Sequence, residues 1–529
     1  MIRDKRLPIF ILGAGLLVGL CCFGDGGRGE AVRKDGADGT VRKDGADGTV
    51  KVEGGLISGG VSSAGDVHFF KGVPFAAPPV GSLRWKAPQP VVPWDGVRAC
   101  VQFGPSPMQN APAPFMMWSE EYLIREKPIG EDCLYLNVWT GAKTAKEKRP
   151  VLVWIYGGAF VSGGTNVPIY DGEAMARKGV VFVSIAYREG IFGFFSHPDL
   201  TRESGHKASG NYGLMDQIAA LTWVQKNIAA FGGDPGNVTI AGQSAGSMSV
   251  NCLVASPLAA GLFQKAIGES GASFTGGNPG LANVEAEGQK LGDISGLRSL
   301  SAADLMKKAP GFRGPVIDGY VLPEPIANLF KEGKENKVSL LTGWNEDEGI
   351  LFSALKKAQD FRLEADTKYG VDSSTFLRLF PAGTDSEAAV SQVKLSRDML
   401  FGIQNYTWAT IVSEQGLKVY VYRFVRKPPT VSGAPKYGAY HTAEVPYAYD
   451  NLKFVKRPWE PVDYNLADAM SSYWVNFAKA GDPNGMGLVA WSPYKASDSK
   501  IMIFGNQPMA GSLQDKEELD FVVKKMTGN

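Results

Sequence analysis

The chain has 529 residues, 44% of them hydrophobic and 21% charged, with 55 Lys and Arg against 54 Asp and Glu for a formal net charge of +1. This is the composition of a globular protein, and the absence of a basic excess excludes the electrostatic footprint of a nucleic-acid or polyanion binder. The length exceeds one average domain, yet large α/β proteins reach it as a single unit.

The start, "MIRDKRLPIFILGAGLLVGLCCFG", places a basic head before an uncharged stretch from Leu7 to Gly24. That is the layout of a secretory signal peptide over residues 1–24. Export to the periplasm or medium is therefore expected, with an uncleaved membrane anchor as the alternative. Residues 25–52 carry a tandem nonapeptide, "VRKDGADGT" at Val32–Thr40 and again at Val41–Thr49. It has no apolar face to bury and reads as a flexible spacer. Residues 53–529 show no further break and form one domain.

Within that domain, apolar runs of strand length recur: Val151–Ile155, Val180–Ala186, Asn237–Gly242, Val338–Gly343 and Val419–Val425. The stretch Met215–Phe231 sets Ile218, Leu221, Trp223, Val224 and Ile228 at helical spacing. Strands apolar on both faces, alternating with helices, predict an α/β fold with a large, mostly parallel sheet covered on two sides. Chemistry in such folds collects beyond the carboxyl ends of the strands.

One stretch falls there: "NVTIAGQSAGSMSV", in which Ser244 stands between Gly242 and Gly246. A serine on a sharp strand-to-helix turn has the G-x-S-x-G form of a nucleophile elbow, with helix N–H groups nearby. A serine hydroxyl needs a base, and the chain holds four histidines. His68 lies in an apolar strand, His197 in a turn and His206 in a polar loop. His441 follows the last apolar run, where a base would arrive. The base needs an acid, and "TGWNEDEG" offers Glu346, Asp347 and Glu348, among which spacing does not choose. "WIYGGAFVSGG" supplies glycine-rich backbone after the first central strand, suited to donating N–H groups to an oxyanion. Cysteine and histidine spacings do not resemble a metal site, and no phosphate-binding loop follows a strand.

These segments resemble the type-B carboxylesterases, the cholinesterase-like α/β-hydrolases. "FKGVPFAAPPVGSLRWKAPQP", "EDCLYLNVW", "FGGDPGNVTIAGQSAG" and "YWVNFAKAGDPN" with "WSPY" are similar to successive family blocks, from about Gly54 to Tyr494. The resemblance implies Ser244 as nucleophile, His441 as base and Glu348 as acid. It also implies an oxyanion hole from the N–H groups of Gly158, Ala159 and Ala245, and structural ion pairs Arg84–Glu131 and Arg188–Asp216. No cofactor or metal is implied. The expected partners are a small-molecule ester and water, with no nucleic acid and no stable protein partner.

Two positions depart from the family pattern. Pro107 stands where relatives often carry the cysteine that bonds the one in "EDCL", so Cys133 lacks its usual partner; Cys100, across a Pro- and Met-rich loop, becomes the candidate for a disulfide. Ala159 replaces a glycine common in "GGGF". Cys252, on an apolar helix, reads as a buried thiol. The expected activity is serine carboxylesterase chemistry through an acyl-enzyme, rising with pH as an imidazole deprotonates, at about 6.5 for an ordinary histidine. Alternatives are removal of polycarboxylic side chains from a bulky natural product, as fumonisin esterases of this family do, or lipase activity. A catalytically inactive binding module is the reading from another class, and the presence of Ser244, His441 and Glu348 together speaks against it. Met116, Met117 and Trp118 are candidates for an apolar wall at the entrance.

Overall fold

The computed structural model describes residues 49–125, 128–275, 277–309, 314–352 and 355–527. The expected signal segment and the repeat up to residue 48 lie outside the described residues. Thr49–Val52, counted above with the spacer, is a strand. It pairs antiparallel with Gly55–Ser58, which in turn pairs in parallel with Val97–Ala99. Val52 buries its side chain in the main core, so folded structure starts before the expected boundary.

A sheet of eleven strands organises the rest: β1 (Gly60–Val61), β2 (His68–Pro74), β3 (Tyr135–Thr140), β4 (Arg149–Ile155), β5 (Val181–Ile185), β6 (Gly233–Gln243), β7 (Lys265–Glu269), β8 (Ser339–Asn345), β9 (Val419–Phe424), β10 (Lys500–Phe504) and β11 (Pro508–Ser512). Their spatial order is β11-β10-β9-β8-β7-β6-β4-β5-β3-β2-β1. All neighbours from β10 to β5 run parallel, and the pairings outside that block are antiparallel. The five apolar runs of the sequence all fall in parallel strands. β7, "KAIGE", gives no such run because it begins and ends with a charge; the Lys265 ammonium escapes sideways to Asn237 Oδ1.

Successive strand residues point to opposite faces. Every residue of β5, β7 and β9 is buried, so both faces of the sheet are covered. The covering helices include α1 (Tyr212–Asn227), α2 (Ala245–Ala255), α4 (Ile403–Glu414) and α5 (Pro461–Ala480), while α3 (Asp385–Arg397) packs on the turn Glu348–Phe352 after β8. α2 packs along β6 and β7, α4 along β8 and β9, and α5 against β4 and β6. α1 is the helix expected from Met215 onward, and it tightens into a 3₁₀ turn at Ile228–Phe231.

Both expected ion pairs are formed. Arg84 donates through Nε and Nη2 to Glu131 at 2.7 and 2.6 Å, and Arg188 donates through the same two nitrogens to Asp216 at 2.8 Å each. The expected Cys100–Cys133 disulfide is not formed: both thiols are free and buried, as is Cys252 on α2. Cys100 follows the small sheet, with its sulfur toward the Gly72 carbonyl, whereas Cys133 faces Pro107, Arg188 and Glu189 across a water-sized cavity. The two sulfurs thus sit in separate surroundings. Burial pushes the Cys100 thiol up to about 11, that of Cys252 up to about 12, and that of Cys133 well above its ordinary range.

A buried ionic network fixes the turn after β8. Arg397 at the end of α3 donates to Asp398, Glu346 and Asp515 at 2.7, 2.9 and 2.6 Å. Arg423 of β9 donates to Glu346 and Asp515, both at 2.7 Å. Burial alone would push the Asp515 carboxyl up, but Arg423 and Arg397 outweigh it and hold it at about 2. Its contribution to stability is therefore present above the ordinary carboxyl range and is lost only as pH falls toward 2. Asp515→Ala leaves two buried guanidiniums short of a partner and is expected to destabilise the protein by about 3–5 kcal/mol at neutral pH, read as a lower melting temperature.

Candidate active site

Four parallel strands deliver the predicted residues to one edge of the sheet. The loop after β4 carries Gly158 and Ala159, the turn after β6 carries Ser244, the turn after β8 carries Glu348, and the segment after β9 carries His441. Ser244 has φ 59° and ψ −125°, a strained conformation for a residue with a side chain. The flanking glycines make that turn sterically open. A side-chain carbon on Gly242 would lie 2.7 Å from the Ile155 carbonyl oxygen, and one on Gly246 would collide with that oxygen outright. The elbow is held by Ser244 N–H donating to the Glu269 carbonyl at 2.9 Å.

The loop after β4 is strained as well, with φ 124° at Gly158, 55° at Ala159 and 61° at Phe160. It packs directly on the serine: a side-chain carbon on Gly157 would lie 3.0 Å from Ser244 Cβ. Among the described residues, neither Gly158 N–H nor Ala159 N–H has a protein acceptor. Ala245 is the first residue of α2, where the N–H has no intrahelical partner. These donors suit a developing negative charge next to Ser244.

The structure distinguishes the three acids that spacing left open. Glu348 is fully buried and its Oε2 lies 2.8 Å from His441 Nδ1, while its Oε1 accepts Asn345 N–H at 3.1 Å. Glu346 belongs to the arginine network described above. Asp347 ties the two loops together, as its N–H donates to the Ala439 carbonyl at 3.0 Å and its carboxylate accepts Ala439 N–H at 2.8 Å. The remaining histidines lie elsewhere in the structure. His68 is in β2, His197 caps the helix Pro198–Glu203 through Nδ1, and His206 stacks on Tyr320 at 4.1 Å between ring centroids. Among the described residues His441 has hydrogen-bond partners in Gln243 and Glu348 and none in Ser244 Oγ, and nucleophile–base bonds commonly tighten only with substrate in place.

Several residues around His441 have no motif to announce them. Phe401, in the π-helical turn Asp398–Gly402, stacks on the imidazole at 4.4 Å and 18°. The Gln243 amide nitrogen lies 3.2 Å from Nε2 and 3.4 Å from Nδ1. Asn345 donates to the Tyr440 carbonyl at 2.8 Å and to Glu444 Oε2. Glu444 and Glu269 are two further fully buried carboxyls. Glu269 Oε1 accepts Tyr449 O–H at 2.8 Å and Trp474 Nε1–H at 2.9 Å. Burial pushes Glu269 up to about 7, and burial with the neighbouring Glu269 and Glu348 pushes Glu444 well above the carboxylate range. The available signal for Glu444 was a charge inside the otherwise apolar "YHTAEVPYAY".

The chain matches the Carboxylesterase family over residues 46–522. It is 37% identical over 480 residues to a fumonisin B1 esterase from Sphingopyxis macrogoltabida, covering 84% of this chain and 85% of that one. It is 36% identical over 472 residues to the para-nitrobenzyl esterase of Bacillus subtilis, with 83% and 92% covered. A solved structure of PNB esterase superposes with a TM-score of 0.77 at 31% identity, covering 91% of this chain and 99% of that chain.

The raised Glu269 carboxyl has a consequence for stability. Its neutral form is favoured in the folded state, so the stability it lends is full below about pH 4.5 and is lost as pH rises through about 7. Glu269→Gln keeps an acceptor oxygen for Tyr449 and Trp474 but cannot ionise. It is expected to raise the melting temperature relative to the unsubstituted protein at pH 8, with the difference shrinking toward pH 5 in a melting series across that range.

Proposed function

The chain belongs to the carboxylesterase family and is an α/β-hydrolase that hydrolyses carboxylic esters, and on that premise we propose that Ser244, His441 and Glu348 form its catalytic triad. The 2.8 Å contact of Glu348 with His441 Nδ1, at the same sheet edge as the strained Ser244 elbow, is the observation that carries this reading. Glu348 fixes the tautomer that keeps the proton on Nδ1 and leaves Nε2 free to act as base. Ser244 Oγ attacks the ester carbonyl carbon while its proton passes to Nε2. The carbonyl π electrons move onto oxygen, where the N–H groups of Gly158, Ala159 and Ala245 receive the charge. Collapse re-forms the carbonyl and breaks the bond to the alkoxy oxygen, which leaves as the alcohol after taking the proton from Nε2. Water then attacks the acyl-enzyme with His441 again as base, releasing the acid and restoring Ser244. No step calls for a metal or organic cofactor.

The same reading includes export, supported by the basic head and uncharged stretch of residues 1–24. Among the described residues, no helix is long and apolar enough to cross a membrane. A narrower substrate, a bulky natural product bearing polycarboxylic side chains, is supported by the likeness to the fumonisin B1 esterase and by a cavity of about 430 Å³ beside the site.

Hydrolysis of p-nitrophenyl acetate, butyrate and decanoate should be measured for the protein and for Ser244→Ala. The expected result is turnover that falls by about 10⁴-fold or more in the variant. Short esters should be favoured over decanoate, and the opposite order would make it a lipase. Equal rates for the two proteins would overturn the triad.

A further inference from the structure

The cavity of about 430 Å³ is bounded on one side by the hairpin from Pro114 to Ser119 and on the other by the segment from Pro428 to Tyr440. Phe115, Met116, Met117 and Trp118 give it an apolar wall, and Phe115 and Trp118 exchange backbone hydrogen bonds at 3.0 Å that close the hairpin. Lys456 and Arg457 also line the cavity, and among the described residues that line it Glu121 is the one acid. Glu121 accepts the Lys456 backbone N–H at 3.3 Å.

Arg457 is the unusual member. It is half-buried and, among the described residues, makes no ion pair; it donates to the Pro429 carbonyl at 3.1 Å and to Tyr440 Oη at 3.0 Å, while its Nε is buried without a partner. A guanidinium removed from water is costly unless an anion or a full set of acceptors meets it. Its planar fork is shaped for a carboxylate.

The cavity adjoins the reacting residues. Tyr440 precedes His441 in the chain, and its hydroxyl shares a 2.7 Å hydrogen bond with Tyr122. Trp118, which lines the cavity, donates from its indole N–H to Thr442 Oγ1 at 3.3 Å, and that hydroxyl donates to Gln243 Oε1 at 3.5 Å. The apolar wall is thus joined to the residues that flank both His441 and Ser244.

We propose that this cavity is a subsite for an ester that carries a free carboxylate at the end of an apolar chain, the carboxylate being held by Arg457 with Lys456 beside it. The proposal rests on Ser244-dependent ester hydrolysis as read above, and it specifies the substrate as anionic. The carboxylate takes no part in bond making; on the acyl half it stays bound through both steps, and on the alcohol half it leaves with the alcohol after the first.

The test compares matched esters with the full chain. On the acyl side, mono-p-nitrophenyl adipate, suberate and sebacate are set against p-nitrophenyl hexanoate, octanoate and decanoate. On the alcohol side, the butyrate of 4-hydroxybenzoic acid is set against phenyl butyrate. The expected result is a kcat/KM about 10-fold or more higher for the anionic member of one pair, the size that a charge-assisted hydrogen bond supplies. Which side shows it identifies the half of the ester that enters the cavity. The preference should fall several-fold in Lys456→Gln, disappear in Arg457→Gln, survive in part in Arg457→Lys, and shrink as salt is raised. Because Arg457 also supports Tyr440, the exposed Lys456 provides a variant that does not disturb packing. Lys307→Gln, the same charge change on an exposed lysine that does not line the cavity, should leave the ratio unaltered. Neutral esters turned over with no anionic preference, or a preference that survives Lys456→Gln and Arg457→Gln alike, would overturn the subsite alone. Absence of any Ser244-dependent turnover would overturn the triad reading and the subsite with it.

Discussion

A backbone contact sets the geometry on which the rest of the site depends: the Ile155 carbonyl at the end of β4 leaves no room for a side chain at Gly246. Through that contact the first turn of α2 is pressed against β4, and the chain must turn at Ser244 in a conformation that a residue with a side chain rarely accepts. The strain is offset by parallel pairing on both sides of β6 and by burial of α2 along β6 and β7. The loop after β4 is drawn into the same contact, since a side-chain carbon on Gly157 would lie 3.0 Å from Ser244 Cβ. Packing in the core and the sharp turn at Ser244 are here one arrangement.

Buried charge is handled in two different ways around the histidine. On the Glu346 side, Arg397 and Arg423 meet carboxylates directly, and the turn after β8 is fixed by charge-assisted hydrogen bonds. On the Glu444 side, Glu348, Glu444 and Glu269 gather with polar neutral partners instead of cations. Three ionised carboxyls in such a space would repel strongly, and the upward shifts of Glu269 and Glu444 relieve that by favouring their neutral forms. Environment therefore separates groups that are chemically alike, much as paired carboxyls elsewhere are driven into different roles.

The fold class was readable in the sequence, and the candidate site residues could be nominated there, for a physical reason. A strand–turn–helix with glycines at fixed offsets can be recognised locally, and four histidines leave few choices of base. Choosing Glu348 over Glu346 and Asp347 needed the resemblance, because three adjacent acids differ only in the direction their side chains take. Glu269, Glu444 and Phe401 were illegible because their roles depend on contacts with segments 99 to 205 residues away in sequence or on ring stacking, not on local spacing. The expected disulfide failed for a related reason. Sequence showed that Pro107 displaced the usual partner of Cys133, but it gave no means of telling that Cys100 lies in different surroundings.

Those free thiols bear on where and how the protein can be made. Among the described residues no covalent bridge closes a loop, so the connectivity of these segments is the same under reducing and oxidising conditions. Each sulfur is buried and held in its protonated form, which makes it a poor nucleophile toward oxidants while the fold is intact. Sensitivity to oxidation is then governed by how often the core opens, not by the redox poise of the compartment.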